Sequence, residues 1–412
     1  MKILIVTARY YPETFSITNI AETFVKMGHD VTVLTGRPHY GKSKIYDGYE
    51  KKYYEVVNGV KIFRVKEHIR KKGKFSLMLN YLSTFCLYKR ALKHKFKKFD
   101  FDVVLSHVLS PIFTMRGLGK FCKSRKIPLI HYGLDLWPES MAATSSLKKD
   151  GFLFRILKKY CIRLYKQCNC ICFSSPSAEV YFKDYLNIKL PFYHIYQPCL
   201  TAKPGENLIF NHTYLIDGKL HILYCGTIAK FHRLDLFICA LSKCQFKENI
   251  IFDVVGSGSE FENIKNLVST LNLKKQVIFH GRVNSQDTIK YYLAADLLYV
   301  PLIYNCSTSL LIPQKLIEYF MYGKPILGMI KGDGAELLKK ASNLNIIAEQ
   351  NISSLSDSID IIATTYNKSL LKQCGMDNRN FYDTKKEFSL SYVANQLISI
   401  MMKYTNISED KL

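Results

Sequence analysis

The chain has 412 residues, 48% of them hydrophobic, which is more than one core normally serves and enough to pack two. A mean hydropathy of −0.03, with no apolar run of about 18 or more residues, leaves no place for a membrane-spanning segment. The formal net charge of +24 requires a negative partner, and nucleic acid, an anionic membrane and a phosphate-bearing substrate are the three classes that qualify.

"MKILIVTARYYPE" opens with a lysine and a short apolar run, but polar and aromatic residues follow in place of a small-residue cleavage site. It reads as a first strand and not as a signal peptide, so the chain is expected to stay in the cytoplasm. "DVTVLTG", "VKIFRV", "DVVLSH", "IPLIHYG" and "CICFSS" supply further strands, with helical patterns such as "NIAETFVKMGH" between them. That alternation predicts parallel sheet flanked by helices. Residues 70–98 hold ten Lys or Arg and no Asp or Glu, with the charges flanking a mostly apolar stretch, Phe75 to Tyr88. Such a helix suits the headgroup zone of an anionic membrane; the alternative is a domain helix with solvated basic ends. No recognised nucleic-acid motif accompanies the charge, so nucleic acid is not expected as a partner. Twelve cysteines form no C-x-x-C pair, and Cys168, Cys170 and Cys172 alternate as packed strand thiols do.

Near 196–220 the pattern breaks into a stretch rich in Pro, Gly and Asn, which places a linker there and domains at 1–200 and 201–412. A second series of strands follows: "HILYCGTIA", "IIFDVVGSG", "VIFHGRV", "DLLYVPL", "KPILGMI" and "LNIIAEQ". Within "IPQKLIEYFMYGKPIL" (312–327), Leu316, Ile317, Phe320 and Met321 form an apolar stripe between Pro313 and Gly323, a pattern that predicts a helix. Lys315 and Glu318 share its other face, either as an exposed ion pair or as part of a site. "LSYVANQLISIMMKY" reads as an amphipathic terminal helix packing back toward the first domain, with a frayed tail behind it. Ligands of parallel sheets gather at the carboxyl ends of the strands, and two such sheets facing each other would enclose a cleft.

Several stretches together resemble glycosyltransferase family four. Residues 255–302 resemble that family's strand, glycine turn, helix, strand, Gly-Arg and "AAD…P" run. "IPQKLIEYFMYGKPIL" resembles its P-x-K-x-x-E donor-site helix, and "YYPE", "GHDVTVLTGRPHYG" and "DLWPES" resemble the branch that builds bacterial surface polysaccharides, close to fucosaminyl-transferase-like members. The resemblance covers nearly the whole chain and implies the GT-B fold: an α/β architecture of two Rossmann-like, doubly wound domains facing across a cleft. It implies a retaining transfer from a nucleotide-sugar donor, with UDP as the expected nucleotide, to a polyprenyl-diphosphate-linked acceptor, in O-antigen or capsule synthesis at the inner face of the membrane.

The resemblance also assigns roles. Lys315 in the first turn of its helix would meet the diphosphate, and Glu318 the ribose hydroxyls; a helix N-terminus carries about half a positive charge and is itself a phosphate cradle. Eight residues before Glu318, where the family often has a glutamate, stands Leu310, so sugar recognition passes to Ser307, Thr308, Ser309 or backbone groups and suits a deoxy or acetamido sugar. The family's lysine register after Gly226 falls on His232, and either Lys230 or Arg233 beside it is expected to reach the diphosphate. Gly281 and Arg282 would lie beside the base. Asp135, following a strand, is the candidate to orient or deprotonate the acceptor hydroxyl, with Glu139 in reserve. His131 is either near the site or packed, and Trp137 either stacks on a sugar or fills the core. Tyr10, Tyr11 and Glu13 would border the acceptor. No D-x-D motif stands at a strand's carboxyl end, since "DFD" at 100–102 precedes its strand, so neither a metal nor a cofactor is expected. Two rival readings are an epimerase of the same architecture and a basic nucleic-acid binder.

Overall fold

The computed structural model describes residues 1–71, 73–144, 147–199, 218–284, 287–303 and 308–405. It divides into two compact units, Met1–Leu200 with Glu387–Leu412, and Thr201–Lys386. The terminal segment thus belongs to the first unit, and the stretch 201–386 is the second; most of the expected linker lies outside the described residues.

The first unit is built on an eight-stranded sheet of β1 (Lys2–Thr7), β2 (Asp30–Thr35), β3 (Tyr54–Val57), β4 (Val60–Arg64), β5 (Val103–Val108), β6 (Leu129–Gly133), β7 (Cys170–Phe173) and β8 (Phe192–His194). Its order is β3-β4-β2-β1-β5-β6-β7-β8, parallel except that β3 runs against β4. After Lys2, every residue of β1 is buried, as are all of β5, β6 and β7. A strand covered on both faces has no use for alternation, which is why these segments read as unbroken apolar runs. The chain winds outward from β1 in both directions, and right-handed crossovers then put helices on both faces. The helix Ser16–Lys26 buries Ile17, Ile20, Ala21 and Phe24, one stripe at helical spacing. The terminal helix Leu390–Tyr404 lays Val393, Ala394, Leu397 and Met401 into the same core, and Ser389 caps it by accepting the Tyr392 N–H at 3.3 Å.

The second unit carries β9 (Leu220–Cys225), β10 (Ile250–Val255), β11 (Val277–Gly281), β12 (Leu297–Pro301), β13 (Ile326–Met329) and β14 (Ile346–Ile347) in the order β11-β10-β9-β12-β13-β14, with every pairing parallel. The winding again reverses, here between β9 and β12. Such switch points leave an opening at the carboxyl edge of a sheet.

Among the described residues, no helix is long and apolar enough to cross a membrane. The helix predicted from residues 70–98 runs Lys74–His94. Tyr81, Thr84, Tyr88 and Leu92 are buried on one side while Phe75, Met78, Leu82 and Lys89 are exposed on the other. It is a domain helix with a distinct outer stripe.

Candidate active site

In the second unit the helix Gln314–Tyr322 buries Leu316, Ile317, Tyr319, Phe320, Met321 and Tyr322, leaving Gln314, Lys315 and Glu318 as its polar edge. Gly323 closes it at φ 59°, ψ 43°, a left-handed cap that costs glycine nothing. Lys315 does not form the surface ion pair with Glu318. Its Nζ is buried without a hydrogen-bond partner, 4.2 Å from the centre of the Tyr224 ring. Burial pushes its pKa down to about 8, a shift only partly opposed by Cys225 and Glu318. A buried ammonium with no acceptor is costly, and such orphans mark places where a ligand supplies the missing oxygen.

Gly226, directly after β9, faces that ammonium: a Cβ there would stand 2.7 Å from Nζ. The strand ends are drawn tight around it. Gly226 N donates to Val255 O at 2.9 Å, Gly256 N to Gly281 O at 2.7 Å, and a Cβ on Gly256 would overlap the Gly226 carbonyl. The "GSG" turn therefore serves close backbone packing. Gly281 ends β11, which pairs with β10, and the exposed Arg282 follows it.

Of the two basic candidates after Gly226, Arg233 is engaged bidentately by Asp235, with Nε 2.9 Å from Oδ1 and Nη2 2.9 Å from Oδ2. Lys230 is exposed and, among the described residues, carries no ion pair. His232, which sequence reasoning passed over, is buried beside them; its Nδ1 is 2.9 Å from the Tyr224 hydroxyl, which also donates to Thr227 O at 2.6 Å. Burial first and the Lys315 charge second hold this imidazole well below its usual pKa, so it is neutral. Ser309 lies on a short 3-10 turn whose carbonyl packs against Gly332, at φ 66°. Ser307 and the Thr308 side chain lie outside the described residues.

In the first unit the polar groups collect at the carboxyl edge of the sheet. Asp135 follows β6, half-buried, and among the described residues its carboxylate has no hydrogen-bond or ion-pair partner. Burial lifts its pKa to about 7. His131 is buried on β6, both its ring nitrogens lack partners among the described residues, and burial drives its pKa to about 3, so it is a packed neutral ring. Trp137 is fully buried against Tyr81 and Phe113 and belongs to the core. Glu139 is buried and accepts a short hydrogen bond from the Tyr181 hydroxyl.

Glu13 accepts the His39 and Tyr40 backbone N–H groups at 2.7 and 2.6 Å, clamping the loop after β2, while Tyr11 gives its carbonyl to Arg64 at 2.8 Å and Tyr10 is buried. Around Glu13 is a buried cluster that the sequence did not announce. Arg9 Nη1 lies 3.7 Å from Glu13, 3.9 Å from Glu67 and 3.2 Å from the His39 ring. Burial outweighs Arg9 and raises Glu67 to about 7; burial and Arg9 together lower His39 to about 4. The only advance signal was polar residues standing just beyond apolar runs, Arg9 after β1 and Glu67 after β4.

Among the described residues no group of three His, Cys, Asp or Glu side chains is arranged to hold a metal. Asp100 and Asp102 of "DFD" hold Lys2 at the edge where β1 begins: the Asp102 carboxylate accepts the Lys2 backbone N–H at 2.6 Å and the Asp100 carboxylate accepts the Lys2 ammonium at 3.3 Å.

Residues 15–197 match the model of Glycosyltransferase Family 4, and residues 208–380 that of Glycosyl transferases group 1. An uncharacterized glycosyltransferase of Methanocaldococcus jannaschii is 21% identical over 378 residues, 89% of this chain and 90% of its own. Among solved structures, sucrose-phosphate synthase of Thermosynechococcus elongatus superposes with a TM-score of 0.74 at 14% identity, over 98% of this chain and 99% of its own. HepE of Anabaena, in complex with UDP and glucose, gives 0.69 at 14% identity over 98% and 100%. These matches do not favour the epimerase or the nucleic-acid reading. The chain thus carries, in order, a region matching Glycosyltransferase Family 4 and a region matching Glycosyl transferases group 1, and its fold is that of the GT-B glycosyltransferases.

Proposed function

We propose that the chain transfers a sugar from a UDP-linked donor to a polyprenyl-diphosphate-linked oligosaccharide, with retention of anomeric configuration, in assembly of a bacterial surface polysaccharide. The observation that carries the donor half is the buried, unpartnered Lys315 ammonium facing Gly226. In the reaction the bond from the anomeric carbon to the diphosphate oxygen breaks, a bond to the acceptor oxygen forms, and the acceptor proton leaves. Negative charge grows on the departing diphosphate. Lys315 and the first turn of its helix meet that charge in a site poor in water, where it counts most.

Lys230 is the stronger of the two loop cations for this task, because Arg233 is already neutralised by Asp235. Glu318 takes the ribose hydroxyls, Gly281 and Arg282 flank the base, and Ser309 with neighbouring backbone reads a sugar poor in hydroxyls. Asp135, ionised over the upper half of its titration near neutrality, receives or orients the acceptor proton. Tyr11 and Glu13 shape the acceptor side through the loop that Glu13 clamps. No metal or cofactor is assigned a role. That a related fold, HepE, was solved with UDP supports the choice of nucleotide.

The test is a thermal-shift panel of UDP, GDP, dTDP and CDP on the wild type, Lys315→Ala and Glu318→Ala. UDP should stabilise the wild type and neither variant, since a ligand that binds only the folded state raises its melting temperature. Absence of stabilisation by every nucleotide at millimolar concentration would remove the donor assignment.

A further inference from the structure

Two neighbouring helices of the first unit, Lys74–His94 and Phe152–Tyr165, share an outer surface of unusual composition. They lie side by side: the Phe85 and Tyr160 rings meet at 5.9 Å. On the first, Phe75, Met78 and Leu82 are 69%, 48% and 52% exposed; on the second, Phe152, Leu153 and Ile156 are 77%, 66% and 51% exposed. A soluble domain rarely leaves six large apolar side chains together in water without a use for them.

Seven residues further along each helix the same face turns basic. Leu82 is followed by Lys89 and Ile156 by Arg163, and residues seven apart in a helix share a face roughly 10 Å apart. There the two helices and the helix Leu118–Arg125 enclose a pocket of about 760 Å³ lined by Lys89, Arg116, Lys120, Lys123, Arg163 and Tyr160, with no acidic residue in its wall. Gly117 and Gly119 keep it open, since a Cβ on Gly117 would come within 3.1 Å of Lys89 and one on Gly119 would overlap Gln167. Residues 70–98, 116–126 and 147–167 carry ten, five and seven Lys or Arg against one acid, Asp150. Five cations converging without a counter-ion repel one another until an anion arrives.

We propose that this face docks onto an anionic phospholipid bilayer, the apolar half entering the headgroup zone and the basic pocket taking a lipid phosphate. The spacing suits the partner. An amphipathic surface settles roughly 5–10 Å into the headgroup boundary, which brings a pocket one such step away level with the phosphates. A duplex or an acidic protein would match the charge but leave the apolar half in water. This deepens the assignment of a membrane-borne acceptor and rests on it only for its purpose; the surface itself is argued without the donor site.

The test is sedimentation of the full chain with vesicles of phosphatidylcholine alone and of equal parts phosphatidylcholine and phosphatidylglycerol. Three variants are compared: Phe75→Ser with Phe152→Ser, Lys120→Glu with Lys123→Glu, and Lys265→Glu with Lys275→Glu, the last on exposed sites of the second unit with the same change in net charge. The wild type should bind only the anionic vesicles. Each of the first two variants should lose binding by roughly tenfold or more while the third stays within about twofold. No binding to anionic vesicles, equal loss in the third variant, or retention by the serine variant would each overturn the proposal. The UDP thermal shift, measured on every variant, separates this outcome from the donor assignment: a serine variant that keeps its melting temperature and its UDP response has lost docking alone.

Discussion

Lys315, the proposed diphosphate ligand, is a charge held at the expense of the empty fold. Its pKa in the fold, about 8, is depressed below the free lysine value, so its stabilising contribution is present above that free value and is lost as the pH falls through about 8. Lys315→Met is therefore expected to raise the melting temperature of the unliganded protein at pH 7 while abolishing its response to UDP. On the proposed reading, the nucleotide's charge restores the proton in the wild type. UDP affinity should weaken by up to about tenfold per unit above pH 8, with proton uptake visible in calorimetry across buffers of different ionisation enthalpy. A binding constant flat across that range would detach Lys315 from the diphosphate. Asp135 has the opposite sign. Raised to about 7, it is a base only once the pH passes that value, so kcat/KM should climb to a plateau above neutrality. Asp135→Asn should lower kcat by about 10²–10⁴ and remove that limb.

Residues at this scale were legible where a local pattern isolated them. Lys315 and Glu318 stood out as the only charged residues on a helix whose other face is an apolar stripe. His232 was passed over because fixed charges at Lys230 and Arg233 looked better suited to phosphate, yet "RLD" already placed an acid two residues from Arg233. Arg9, His39 and Glu67 come from three different strand ends and meet only when the sheet has assembled, so no short stretch could announce them.

At the scale of elements, burial on both faces made the central strands easy to find and left the margins obscure. β3 alternates exposed and half-buried residues at the sheet edge, and β8 is a three-residue strand. Neither has the apolar run that gave β1 or β5 away. The terminal helix was recognised from its period and contributes directly to the first core. Leu397 is fully buried there, and Leu397→Ala should destabilise the first unit by about 2–5 kcal/mol, read from urea unfolding. A Ser389→Ala change, which removes only the cap, should cost nearer ~1 kcal/mol. Equal costs would mean that the helix is anchored by its end and not by its apolar face.

For the whole molecule, length and composition already required two cores, and the strand-and-helix alternation required two parallel sheets. What the linear pattern obscured is that the boundaries of the units are not simply first half and second half. The family resemblance marked the helix Gln314–Tyr322 in the second series as the expected donor helix, but the membership of the last segment is a fact of packing. Residues 387–412 group with the first unit, and the side chains they bury are matched by the helix Ser16–Lys26, at the far end of the chain.

That arrangement bears on biogenesis. A ribosome delivers Ile17, Ile20 and Phe24 early, but the residues that shield them, from Val393 to Met401, emerge only after the whole second unit. The second unit can close as soon as its own strands emerge, whereas the first must wait with an apolar flank uncovered throughout the synthesis of the second. Nascent chains stalled after Lys386 should accordingly be cut by protease in the first unit and protected in the second, and extending them past Tyr404 should restore protection to both. If the shorter chains resist equally in both units, the terminal helix is an addition to a first unit that has already folded.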